Sequence, residues 1–192
     1  MGDFLKPVDG YFSKNSDEYH LRVRETLLVD FSSTPLAGLI VLPSFAPEYA
    51  LWIGKDWRRH YAVYRVGKTS IWQTSQQPLA APVNFYTCNA ELPPELAQAL
   101  ATVFWAALGQ TRYPGNERIT LDGTSYYFTA FRAGSGSRIG QTWSPNSSLR
   151  LGKLIALAES VIQHLTQPTN NSDHWVKLIQ TAVALQDEFS DF

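Results

Sequence analysis

Hydrophobic positions along the chain follow two periods, one typical of strands and one typical of helices. Between positions 19 and 31 most odd residues are apolar and most even ones polar, which predicts a strand with one solvated face. The run 36–42 has no alternation and lies between prolines, so we expect a strand buried on both faces. Two apolar runs flank Gly67-Lys68 within 61–75, which predicts a hairpin, and 83–88 is a further short strand.

A second group of strands is predicted in the last third of the chain. Asp122-Gly123 is a favoured two-residue turn, so we expect a hairpin between 119–121 and 124–133. Residues 138–143 then pair back on the second strand, and 134–137 connect the two.

Three segments carry apolar residues at helical spacing. The first spans 92–107, with Pro93-Pro94 at its start and Gly109 just after its end. The second spans 151–165 and is expected to be capped by Ser147 or Ser148. The third starts near Asp173. The remaining segments, 44–48 and 76–82, are interpreted as a loop and a connection.

These elements together predict an α+β fold. Strands occur in hairpin runs and helices come late, so we expect a mainly antiparallel sheet built from hairpins with about three helices packed on one face, two of them C-terminal. A length of 192 residues is typical of one domain. We therefore predict a single domain over 1–192, with flexible ends at 1–16 and 188–192.

Composition and charge narrow the functional classes. Hydrophobic residues make up 44% and charged residues 17% of the chain, which predicts a folded protein. The net charge of −1 gives no overall attraction to a polyanion or an acidic membrane. No secretory leader or membrane-spanning run is visible, and one cysteine, Cys88, has no internal disulfide partner. We therefore expect a soluble protein in the cytoplasm that does not bind membranes.

Two glycine-containing stretches resemble phosphate-binding loops but have the wrong spacing. Gly134, Gly136 and Gly140 leave one residue too many for a dinucleotide fingerprint, and a strand follows instead of a helix. Gly67-Lys68-Thr69 lacks the earlier glycine of a nucleotide-binding loop, since Ala62 stands there. Both are predicted to be turns, and we expect no cofactor.

Catalytic and metal-binding patterns are also missing from the sequence. Cys88 or Ser137 is a weak candidate nucleophile that would need a histidine, such as His60, brought close by the fold. A buried Cys88 is the simpler interpretation. Four scattered histidines and one cysteine give no regular ligand spacing, so no metal site is predicted.

The most unusual segment is 52–65, WIGKDWRRHYAVYR, in which aromatic and cationic residues are interleaved. Trp57, Arg58, Arg59 and Tyr61 are the candidate partner-binding residues, because Trp, Tyr and Arg dominate protein interfaces. The same mixture suits single-stranded nucleic acid, although Asp56 and the near-neutral chain argue against it. A third interpretation is that the rings fill the core while the arginines are solvated.

Elimination leaves a non-enzymatic protein-binding module as the favoured hypothesis. Its role would be that of an inhibitor, an adaptor or an immunity-type protein, and its partner another protein. The alternative is a small hydrolase or transferase whose site is assembled only by the fold. A single-stranded nucleic-acid binder using 52–65 is the third hypothesis.

Overall fold

The computed structural model describes residues 3–8, 17–76, 83–113, 122–167 and 172–190. The strands are β1 (Lys6–Pro7), β2 (Ala37–Pro43), β3 (Tyr49–Lys55), β4 (His60–Gly67), β5 (Phe85–Leu92), β6 (Thr124–Arg132) and β7 (Gly136–Trp143). The helices are α1 (Glu18–Leu27), α2 (Ile71–Ser75), α3 (Pro94–Gly109), α4 (Arg150–Thr166) and α5 (Ser172–Ser190). The predicted α+β class is confirmed.

Seven strands form one antiparallel sheet in the order β1-β7-β6-β2-β3-β4-β5. The central strand β2 pairs with β3 on one side and β6 on the other. Its residues from Ala37 to Leu42 are all buried, as the unbroken apolar run predicted.

The sheet separates two hydrophobic cores. The first face, which carries Leu39 and Phe128, packs with the three long helices α3, α4 and α5. The second face, which carries Ile40 and Trp52, packs with α1 and α2. The predicted trio of helices is therefore present on one face, and the second face has two helices that the sequence interpretation did not include.

The strand predicted over 19–31 is wrong, since residues 19–27 belong to helix α1. The Asp17 carboxylate caps the helix by accepting the His20 N–H at 2.9 Å. Val23 and Leu27, which are four residues apart, are the fully buried positions of this helix. The alternating pattern predicted a strand because it counted residues such as Leu21 as core positions. In the structure Leu21 is only half-buried, and only the stripe at helical spacing packs against the sheet.

The hairpin predicted around Gly67-Lys68 is also wrong. β4 ends at Gly67, and the following residues form the short helix α2, capped by the Ser70 hydroxyl, which accepts the Gln73 N–H at 3.3 Å. β4 pairs instead with β3, a strand that was not predicted, and with β5, which extends past the predicted 83–88 to Leu92.

The hairpin of β6 and β7 confirms the pairing predicted between 124–133 and 138–143. Gly134 and Gly136 both have φ of +80°, so the glycine-rich stretch is a turn, as predicted. The strand predicted at 119–121 and most of the 76–82 connection lie outside the described residues. Both edges of β6 are occupied by β2 and β7.

The serine cap predicted for α4 is wrong. The N–H groups of Arg150 and Leu151 donate to the carboxylate of Asp3, at 3.3 and 3.1 Å. Burial acts to raise the pKa of Asp3, but hydrogen bonds from the Arg150 side chain and these amides hold it below its ordinary value. A residue distant in sequence therefore caps α4.

Parts of both ends that we expected to be flexible pack against the rest of the chain. Leu5 is fully buried near the N-terminus. Helix α5 continues to Ser190, and Phe189 is buried under the Arg150 side chain, whose guanidinium carbon lies 5.2 Å from the ring centroid.

Candidate functional site

The turn 56–59 joins β3 to β4 and is fixed by one carboxylate. Asp56 accepts the backbone N–H groups of Arg58 and Arg59, both at 2.8 Å, and the Arg59 Nε–H at 3.1 Å. The Asp56 N–H also donates to the Arg59 carbonyl at 3.0 Å. The hydrogen bonds donated by the Arg58 and Arg59 backbone amides are the main reason that the pKa of Asp56 lies below its ordinary value. The backbone of the turn is thereby held in one shape.

Trp57 stands at the tip of this turn and is 80% exposed. The guanidinium carbon of Arg58 lies 3.7 Å from the centroid of its ring, in a cation–π stack. A large apolar ring and a cation are therefore presented together to solvent, each limiting the rotation of the other.

A cleft of about 280 Å³ lies at the foot of the turn on the second face of the sheet. It is lined by Asp56, Arg59, Tyr61, Val63, Asn89, Ala90 and Glu91. Gly54 lies directly across from Tyr61 and has no side chain, so the Tyr61 ring occupies the space that a Cβ would fill. We call the cleft together with Trp57, Arg58, Arg59 and Tyr61 the turn surface.

The structure thus brings the four predicted partner-binding residues together but removes others of the 52–65 segment from the surface. Trp52 is buried, and its Nε1–H donates to the Ser32 carbonyl at 3.0 Å. Arg65 is mostly buried, with one terminal N–H group donating to the Val29 carbonyl at 2.7 Å, just after α1. β3 and β4 have a hydrophobic core on each face of the sheet. Trp52 and Arg65 therefore contact the interior of the protein instead of forming part of the exposed surface.

The weak catalytic candidates are not brought together. Cys88 and His60 lie on adjacent strands, but His60 pairs with Leu92, which puts the two about 13 Å apart along the strand direction. The Cys88 Sγ instead lies 2.7 Å from the Tyr86 hydroxyl. Ser137 is on β7, four strand spacings or about 19 Å from β4. None of these pairs allows direct proton transfer.

Metal ligands are also dispersed. Within the described ranges, no group of three or more His, Cys, Asp or Glu side chains is placed to hold a metal ion. His164 and His174 do meet, with their rings stacked at a centroid distance of 5.0 Å. Burial and the neighbouring His174 lower the pKa of His164.

Sequence reasoning missed a buried carboxylate at Glu48. It is fully buried and accepts the N–H groups of Ile71 and Trp72, at 2.7 and 3.0 Å, and the Tyr19 hydroxyl at 3.0 Å. Burial and the Glu48 charge raise the pKa of Tyr19. Glu48 therefore joins α1 and α2 to the sheet. Position 48 lies in the loop between β2 and β3, as predicted, and only the tertiary arrangement shows its partners.

A second missed cluster surrounds Glu159 of α4. The Tyr49 hydroxyl donates to the Glu159 carboxylate, and the ring centroids of Tyr49 and Tyr64 are 5.9 Å apart. Burial raises the pKa values of Tyr49, Tyr64 and Tyr126, and the Glu159 charge raises each further. These contacts attach α4 to the first face of the sheet.

Another concavity, of about 420 Å³, lies between α4 and α5. Alanine, leucine, serine and threonine make up most of its lining, and its two charged groups, Lys153 and Glu188, pair with each other at 2.7 Å. It therefore presents fewer aromatic and charged groups to a partner than the turn surface does.

Neither a protein-family model nor a curated protein nor a solved structure matches the chain. In the part of the chain that the structure describes, no helix has the length and apolar character needed to cross a bilayer.

Proposed function

We propose that the protein acts by binding another protein through the turn surface. The observation that carries this proposal is Trp57, a large ring exposed on a turn whose backbone is fixed by Asp56 and whose face is stacked on Arg58. Tryptophan and arginine are the residue types most enriched among the residues that dominate interface energies.

The order of the turn supports the proposal energetically. Association restricts flexible side chains and loops, and each immobilised side chain costs about 0.5–1.5 kcal/mol. The Asp56 hydrogen bonds and the Trp57–Arg58 stack restrict the turn before a partner arrives. Less conformational entropy is then lost on binding.

The cleft beside the turn gives the surface a second element of recognition. Its lining includes a cation, Arg59, and two carboxylates, Asp56 and Glu91, around the apolar side chain of Val63. A partner side chain entering this cleft would meet a cationic donor and carboxylate acceptors next to the Trp57 anchor.

The proposal includes a role as an inhibitor, an adaptor or an immunity-type module, with no chemical step assigned. The separation of Cys88, Ser137 and His60 supports this class over a hydrolase or transferase. The single cysteine fits a reducing location such as the cytoplasm, which is part of the proposal.

The structure gives less support to single-stranded nucleic acid as the ligand. Successive bases need several exposed rings. Of the aromatic residues in 52–65, Trp52 is buried and Trp57 already has Arg58 on one face. Trp52 therefore has no face open to a base, and Trp57 has only one of its two faces open.

Affinity capture from the native cell extract tests the proposal. The intact protein is compared with the Trp57→Ala/Arg59→Ala double variant and with Phe45→Ala. Phe45 is the matched control because it is 81% exposed and lies in the loop between β2 and β3, at the opposite end of β3.

We expect one protein to be captured stoichiometrically by the intact chain and by Phe45→Ala, but not by the double variant, with melting temperatures alike. The same eluate from all three would exclude the turn surface. Capture that disappears after nuclease treatment would identify a nucleic-acid ligand instead.

A further inference from the structure

The strand β5 forms one edge of the sheet and is long and regular. It spans eight residues, Phe85–Leu92, and pairs with β4 in one uninterrupted register. No strand in the described part of the chain pairs with its outer side. Phe85 and Tyr86 are 40% and 49% exposed, on opposite faces of this edge. The N–H and C=O groups on its outer side can therefore form hydrogen bonds with another strand.

β5 also lacks the features that protect most edge strands. Its sequence, FYTCNAEL, has no lysine, arginine or proline, and Glu91 is its only carboxylate. The opposite edge differs, since β1 is two residues long and consists of Lys6 and Pro7. A proline and a lysine on a very short strand discourage added strands, and β5 has neither.

We propose that β5 pairs antiparallel with β5 of a second copy of this chain, about a two-fold axis that passes through Cys88. Such an axis keeps the two faces of the sheet continuous, so a residue can lie opposite only a residue of the same face. An axis at Cys88 sets Phe85 opposite Glu91 and Thr87 opposite Asn89 of the other copy. An axis at Asn89 would instead set Phe85 opposite Pro93, which has no N–H to donate.

The Cys88 register opposes no like charges. Glu91 meets a phenylalanine of the other copy rather than the other Glu91, so no like charges are opposed. The remaining residues at the contact are small or uncharged. One strand edge buries less area than the roughly 800 Å² per partner of a stable interface, so a weak dimer in the range of tens of micromolar is expected. This contact does not involve Trp57, Arg58 or Arg59, but Asn89, Ala90 and Glu91 of β5 also line the cleft of the turn surface. Trp57→Ala, which should leave the dimer intact, therefore distinguishes failure of the dimer from failure of the proposed function.

Sedimentation equilibrium under reducing conditions tests the dimer, using the intact protein, Cys88→Ser, the strand variant Thr87→Lys/Asn89→Lys and a control, Gln98→Lys/Gln180→Lys. The strand variant opposes two lysine pairs across the two-fold axis, whereas the control adds the same charge on exposed positions of α3 and α5. We expect the dissociation constant to rise about tenfold or more for the strand variant alone. Circular dichroism verifies that each variant folds.

Diamide oxidation tests the register. Opposed residues of an antiparallel pair have Cα atoms about 4.5–5.5 Å apart, within the range for a disulfide. The two Cys88 thiols would form an intermolecular disulfide, with the two protons and two electrons passing to diamide. A disulfide-linked dimer from the intact protein, absent from the strand variant, supports the proposal.

Three results would overturn it. A monomer at all concentrations, or equal dimerisation of the strand variant, excludes pairing of two β5 strands. A lysine-sensitive dimer without the disulfide excludes the axis at Cys88. A monomer whose strand variant loses a captured protein that Trp57→Ala still captures would assign the edge to that protein instead.

Discussion

Two hairpin turns of the same sheet, 56–59 between β3 and β4 and 133–135 between β6 and β7, reverse the chain by different means. The first uses the Asp56 carboxylate, which binds two backbone N–H groups and one side chain. The second uses Gly134 in the turn and Gly136 at the start of β7, both at φ of +80° and both with open space where a side chain would begin. One turn presents ordered side chains, and the other presents mainly backbone.

We therefore favour the first turn over the more conspicuous glycine-rich stretch as the candidate for function. Glycines at 134 and 136 resemble a ligand loop in sequence, but their positions are explained by positive φ alone. Trp57 and Arg58 have no comparable structural explanation, since both are exposed. The comparison predicts that changes in the first turn impair binding and changes in the second impair stability.

The largest effect is expected from Trp57→Ala. Its affinity for a captured partner should fall about thirtyfold or more, as for a dominant interface residue. The free energy of unfolding should change by no more than about 0.5 kcal/mol, because an exposed ring adds little to folding. Calorimetric titration and urea unfolding measure the two quantities. Ser135→Ala, in the other turn, is the control and should leave both unchanged. An equal affinity loss there would mean that binding does not depend specifically on the first turn.

The Gly134→Ala/Gly136→Ala variant should have the opposite effect. A side chain at positive φ costs about 1–2 kcal/mol per residue, partly offset by lower entropy of the unfolded chain, so we expect a loss of about 2 kcal/mol in unfolding free energy. Affinity should not change. Gly134→Asn should be milder, because asparagine tolerates this conformation. Equal unfolding midpoints for all three proteins would contradict the conformational explanation.

Asp56→Ala and Asp56→Asn test whether the first turn is ordered by the hydrogen bonds that Asp56 accepts or by its negative charge. Alanine removes the acceptor of the Arg58 and Arg59 amides, so the turn loosens and affinity should fall several-fold, with little effect on stability. Asparagine keeps a carbonyl acceptor at the same place and should retain most of the affinity. If both variants bind alike, whether strongly or weakly, preorganisation by the hydrogen bonds is not the cause.

The smallest effect is the pH dependence of the first turn. Hydrogen bonds from the Arg58 and Arg59 amides lower the pKa of Asp56 below 3.8, so its stabilising contribution is complete above that pH. It is lost as the pH falls through the lowered value. Amide chemical shifts of Arg58 and Arg59 should move together in that range, while Ser135, bonded to the Arg132 carbonyl, should show no such transition. A midpoint above 3.8 would contradict the assigned bonds.

Sequence patterns predicted the elements that are buried either along their whole length or along one clear apolar stripe. β2 lies inside the sheet between two cores, and α3 and α4 each bury one apolar stripe, so their periods were informative. α1 buries only Val23 and Leu27 fully, and its partly exposed residues left an alternating pattern typical of strands. The Asp17 cap and Glu18 in its first turn were the available helix signals.

The site was predictable in part. Trp57, Arg58, Arg59 and Tyr61 are close in sequence, so their proximity on the turn surface followed from local spacing. The Glu48 and Glu159 networks join residues far apart in sequence, and the Asp3 cap of α4 spans nearly the whole chain. Such contacts depend on how the elements pack, which no local pattern records.

Site-specific photo-cross-linking in the native extract tests binding by the turn surface while leaving Trp57 in place. A photoreactive phenylalanine analogue replaces the exposed Lys55, next to the first turn, in one protein and Ser135 in another, so that each turn reports its own neighbours. We expect one discrete protein adduct from position 55 and none from position 135. No adduct from position 55, or the same adducts from both turns, would contradict a binding function for the turn surface.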